Sequence, residues 1–297
     1  IGLALSPTPE WMILARALGG LAACSWVIWA ITYAGYFDSS RTTTAMSHLA
    51  VNAALGQLVS TYGGGWIADA YGWQMPFYVG AGLALLSILF LLPLPDTAVA
   101  ESGKITLRRI KAIGASGTLL FVSSIAAAGQ FVNFVTIYGF TPVYATQIGA
   151  TNVQQGTLIL VGMACQMVSS YIGGSWCAYR FGNRGTILVA FLVTGIGSLL
   201  IPYSETLAQL YMAQAIGGFG RGLMQPILMA LAVQSVPQGE RGTAMGIFQA
   251  VYAIGMFSGP ALGGVLGDWF GLGGLFVFTA VLCVASAGVI GMKKLEA

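Results

Sequence analysis

Along this chain, long uncharged apolar runs alternate with short polar breaks, and the lengths of the runs predict its elements. Runs at about 10–35, 42–68 and 73–92 each reach the roughly twenty residues that a helix needs to cross 30 Å of hydrocarbon. Residues 1–5 read as the tail of a helix, followed by a turn at Pro7 and Pro9. The stretch 112–179 is too long for one helix, and turn residues around Pro142, Gly149 and Asn152 divide it into two spans. Further spans fall at 185–201, 207–236, 242–267 and 272–291, giving nine complete spans. The least apolar segment, 95–111, carries Lys104, Arg108, Arg109 and Lys111 and reads as a cytoplasmic linker between a partial bundle at 1–94 and a complete one at 112–297.

Composition supports a membrane reading. Only 7% of residues are charged, against roughly 25% in soluble domains, while 57% are hydrophobic and the mean hydropathy is +0.81. The runs do not alternate as barrel strands do, so the expected class is an all-α polytopic membrane protein. Ten of the 12 Lys and Arg residues fall in alternate loops, which by the positive-inside rule places the C-terminus in the cytoplasm; the expected location is the plasma (inner) membrane. Because these charges are dispersed, no nucleic-acid partner is expected; the partners are the bilayer and a small solute, and the expected state is a monomer. Cys24, Cys165, Cys177 and Cys283 are widely spaced and read as free thiols, so neither a disulfide framework nor a zinc site is expected.

Gly255, Gly259, Gly263 and Gly267 recur every fourth residue and form a side-chain-free helix face against which a second helix can pack. Pro260, beside Gly264 in this stretch, lacks an amide hydrogen and predicts a kink. A shift of 199 residues superposes Gly56 on Gly255, Gly64 and Gly65 on Gly263 and Gly264, Asp69 on Asp268, and Gly72 on Gly271. The first three spans therefore match the last three. The middle three lack counterparts, so three helices preceding residue 1 are expected, twelve in the whole protein.

These features resemble the major facilitator superfamily, two six-helix bundles joined by a basic linker. RALGGLAA from Arg16 resembles the fourth-helix motif of proton-coupled antiporters, and the resemblance gives Arg16 a role in proton transfer. GMFSGPALGG from Gly255 is similar to an antiporter motif of the fifth helix, here placed in the eleventh; its counterpart in the first bundle has Ser60 and Thr61 in place of glycine and proline. The loop from Gly174 to Arg184 preserves Arg180, Gly182 and Arg184 of a family loop motif, with Ser175 and Tyr179 replacing its glycine and aspartate. The resemblance implies secondary transport, no catalysis, and no cofactor beyond a proton gradient.

Arg221 lies mid-span, where an ionised side chain must face a cavity or a partner. Gln214, Arg221 and Gln225 share one helical face, Gln130 and Asn133 another with Tyr138 two turns on, and Gln249 with Tyr252 a third; Gln57 with Ser60 is a similar pair in the first bundle. Each set reads as solute contacts or as interhelical hydrogen bonding, and Arg221 as a solute or coupling site or as a structural cation. His48, the single histidine, lies near a cytoplasmic span end and reads as structural. GGFGRG at 217–222 follows no strand and is not a dinucleotide loop. The leading expectation is proton-coupled efflux by alternating access. The alternatives are proton-coupled uptake of an anionic metabolite and a transport-inactive receptor or scaffold.

Overall fold

The computed structural model describes residues 1–23, 25, 33, 36, 42–93, 106–172, 177–234, 236–237 and 240–292. Arg41, Gly174, Ser175, Lys293, Lys294, Cys24 and most of the 95–111 segment lie outside the described residues, as do the side chains of His48 and Tyr179. The described residues are helical and include no strand. The chain divides into two units, Ile1–Lys104 and Ile105–Ala297.

The first unit holds α1 (Pro9–Ala23), α2 (Thr42–Tyr71) and α3 (Met75–Leu91). Residues 1–5 form turns that bury Ala4, where the sequence suggests a helix tail. Gly72 joins α2 to α3 with φ at 92°, a left-handed conformation that glycine adopts without steric cost. Pro76 at the start of α3 suits a first turn, where no amide hydrogen is needed. α3 is almost wholly apolar, and none of its side chains is buried.

In the second unit, α4 (Leu107–Gly114) precedes α5 (Gly117–Asn133), which runs through a π-helical segment (Phe134–Phe140) into α6 (Thr141–Gln147). Of the expected turn residues, Pro142 does not break the helix: it sits in the first turn of α6, and the helical stretch continues from Gly117 to Gln147. The expected division into two spans falls at Gly149, with φ at 82°, before the next helix starts at Asn152. α7 (Asn152–Ile172), α8 (Ala178–Leu200), a 3₁₀ turn (Ile201–Tyr203) and α9 (Leu207–Gln234) follow. The last helix, α10 (Arg241–Met292), is broken at Gly271 by φ 70° and ψ 170°, which divides it close to the expected boundary. Among the described residues, Gly117–Gln147, Arg180–Tyr203 and Gly242–Met292 are long and apolar enough to cross a membrane.

Glycines set how closely these helices approach. A Cβ on Gly218 would collide with the Gly162 carbonyl of α7, and one on Gly220 would stand 2.6 Å from the Ala190 carbonyl of α8. α9 thus packs backbone to backbone on both neighbours, which explains the glycine-rich 217–222 stretch. A core of Leu119, Val122, Phe191, Met224, Phe248 and Leu275 fills the unit, drawing side chains from α5, α8, α9 and both parts of α10.

Candidate functional site

α9 delivers Arg221 to the interior of the second unit. Helical side chains lean toward the N-terminus of their helix, and Gly217, one turn earlier, leaves room for this one: a Cβ there would stand 3.0 Å from Nη1 of Arg221. The residue is only 3% exposed. Its Nη1 donates to Thr136 Oγ1 at 3.3 Å and its Nη2 to Gln214 Oε1 at 3.4 Å. Thr136 donates its own proton to the Val132 carbonyl, which leaves oxygen lone pairs for the guanidinium.

Three buried polar atoms here lack a hydrogen-bond partner among the described residues: Arg221 Nε, Gln214 Nε2 and Asn133 Oδ1. No described carboxylate pairs with Arg221; the ion pair between described side chains joins Arg109 to Glu240. A desolvated cation with an empty donor calls for an anion or for strong dipoles.

Beside the guanidinium lies a small, partly open pocket lined by Gln130, Asn133, Gln166, Arg221 and Gln225 together with Gly129 and Met224. Asn133 Nδ2 donates to Gln130 Oε1 at 3.2 Å, and Gln130 Nε2 to Gln225 Oε1 at 3.5 Å. These amides cross from α5 to α9 and present both donors and acceptors, so the pocket can hydrogen-bond a polar group. No group of three or more metal-ligating side chains occurs among the described residues.

The structure therefore gathers Gln130, Asn133, Gln214, Arg221 and Gln225 into one cluster and adds Gln166 and Thr136. Both added residues carry the same signal as the others, a polar side chain inside an apolar run. Gln249 and Tyr252 do not line the cavity; Tyr252 stacks edge to face on Phe248 at 5.4 Å. Tyr138 packs on Phe134. Arg16 and Gln57 belong to the first unit, where both are exposed.

The glycine seam of α10 packs against α5 and the π segment. A Cβ on Gly255 would collide with the Ala127 carbonyl, one on Gly259 would stand 3.1 Å from the Phe131 oxygen, and one on Gly263 would stand 2.6 Å from Phe140 Cε2. Gly264 faces open space, and Gly267 meets only Leu272, so three glycines make the seam. Pro260 is exposed beside it. In the loop motif, Gly182 takes φ 69° and ψ 165°, Arg180 is exposed, and Arg184 donates to the carbonyls of Ile290, at 3.2 Å, and of Gly291. A cation at those last carbonyls of α10 complements the negative helix end.

Comparisons with known proteins agree with this architecture. The sequence profile of the Major Facilitator Superfamily matches residues 1–149 and 119–294. The uncharacterized MFS-type transporter MJ1560 of Methanocaldococcus jannaschii is 27% identical over 272 residues, 89% of this chain and 66% of that protein. The cis,cis-muconate transport protein of Acinetobacter baylyi is 24% identical over 81% of this chain and 62% of its own length. This chain thus spans less than two thirds of the length of either relative. The crystal structure of a bacterial homolog to the human lysosomal transporter Spinster, inward-facing and occupied, shares the fold with a TM-score of 0.76 at 14% identity, over 98% of this chain and 78% of that one. The chain is an α-helical integral membrane protein, and it belongs to the Major Facilitator Superfamily.

Proposed function

We propose that the chain is part of a secondary transporter that carries a small organic anion by alternating access, with the Arg221 cavity as a solute subsite. One observation carries this reading: a buried guanidinium with an unfilled Nε and no acidic partner among the described residues. A carboxylate entering the cavity would supply the missing acceptor and the missing negative charge in one step. Gln130, Asn133, Gln166 and Gln225 would hold the solute's remaining polar atoms, while Gln214 and Thr136 orient the guanidinium. The relative named for muconate, itself a dicarboxylate, supports an anionic solute.

Coupling is to protons, with Arg16 assisting proton transfer and the seam at Gly255, Gly259 and Gly263 allowing the helices to reorient. The antiporter-like sequences around Arg16 and Pro260 support efflux against protons. The positive charge of the cavity supports a second direction, uptake of the anion together with a proton. In both, a monomer works in the inner or plasma membrane with its C-terminus in the cytoplasm.

The test is transport of labelled muconate and other small carboxylates by the full-length protein in proteoliposomes, under pH gradients of either sign. Counterflow driven by a proton gradient supports efflux, and movement in the direction of the protons supports uptake. Unchanged carboxylate transport by Arg221→Gln would overturn the assignment of the subsite.

A further inference from the structure

The helix α4 stands apart from the apolar helices around it. Three of its eight residues are basic, and at about 100° per residue Leu107, Ile110 and Ile113 fall on one arc with Lys111, Arg108 and Arg109 on the other. We propose that α4 is an interfacial helix that binds anionic phospholipid headgroups of the adjoining leaflet through Arg108 and Lys111.

Its place in the chain sets its depth. Ser116, with ψ at 117°, turns the backbone out of helical conformation and accepts a hydrogen bond from the Leu119 amide at 3.5 Å. α5, the start of a membrane-crossing stretch, begins at the next residue. α4 therefore lies at the edge of the hydrocarbon layer, where amphipathic helices are stable.

Two contacts fix its rotation. Ile113 is buried in the same core as Leu119 and Phe248, and Arg109 forms an ion pair with Glu240, 131 positions away. These two residues are one turn apart and define the side that faces the protein. On the far side Leu107 is 76% exposed, and Arg108 and Lys111 are exposed with no acidic partner among the described residues. An exposed leucine one turn from a lysine and next to an arginine suits the boundary between acyl chains and phosphates: the apolar side chain enters the hydrocarbon, and the flexible cationic stems reach the headgroups. The opposite charge of acidic phospholipids selects the occupant. This inference is independent of the solute reading.

The experiment uses the full-length protein in nanodiscs of equal phosphatidylcholine and phosphatidylglycerol. The lipids that remain bound through detergent purification are quantified by mass spectrometry. The wild type and the charge-conserving Arg108→Lys/Lys111→Arg variant should both enrich phosphatidylglycerol. Arg108→Gln and Lys111→Gln should each lower that enrichment about five-fold, with thermal unfolding unchanged because both side chains are exposed. Soluble glycerol phosphate should not displace the lipid. Equal lipid ratios in the wild type and the doubly neutralised variant would overturn the proposal, as would full displacement by glycerol phosphate, which would make the site one for a free phosphate.

Discussion

Gly255 of α10 lies directly against the carbonyl oxygen of Ala127 in α5, with no room between the two backbones for even a methyl group. The contact anchors one end of the glycine seam. Overpacking at such a point typically costs about 1–3 kcal/mol. Gly255→Ala should therefore lower the thermal unfolding temperature of the purified protein, whereas Gly264→Ala, where a Cβ meets nothing within 4 Å, should leave it unchanged or slightly raised. Differential scanning fluorimetry on both variants makes the comparison.

Arg221 separates a solute site from a structural cation. An ionised guanidinium held in the interior without an acidic partner is costly to the folded state. Arg221→Gln should keep or raise the thermal stability while weakening carboxylate binding by about 3 kcal/mol, roughly a hundredfold. A variant that binds normally but melts early would make the arginine structural.

Gln166 enters the site from α7 and lines the cavity without a hydrogen bond to the other amides. Its replacement by leucine removes one neutral hydrogen bond to solute, worth about 1 kcal/mol. Gln166→Leu should raise the apparent Kd about five-fold in a binding assay, with the maximal transport rate little changed.

Gly72 and Gly271 are 199 residues apart and both hold left-handed φ angles, 92° and 70°. A Cβ would meet nothing at either position, so the strain of a substitution is purely backbone. Gly271→Ala and Gly72→Ala should each cost about 1–3 kcal/mol, read as a lowered unfolding temperature. A negligible effect at both would show that the turns relax.

Those two glycines also show what the residues alone can reveal. A turn that needs glycine and a seam that needs four-residue spacing are local requirements, and each leaves its mark at a fixed position. The approximate limits of α2, α3 and α9 were legible for the same reason, because bilayer thickness imposes a length. Pro142 pointed to a break because proline interrupts a helix interior, yet in a first turn it fits without loss. The site itself was half legible. Arg221 and its neighbours on one helix face could be read from spacing, but Gln166 could be placed beside them only after α7 had packed on α9 through Gly162 and Gly218. The pairing of Arg109 with Glu240 depends on the same tertiary approach and has no local signature.

The π-helical winding from Phe134 to Phe140 lies between Asn133, in the cavity, and Pro142, in the first turn of α6. A π turn takes up one residue more than an α turn over the same arc. Deleting a single residue from this segment would restore ordinary α winding over the same arc, whereas inserting one that the winding cannot absorb would rotate Gln130 and Asn133 by about 100° relative to α6. Side chains in this segment can therefore vary in kind more freely than the segment can vary in number: the cavity depends on a count of residues as well as on their identity.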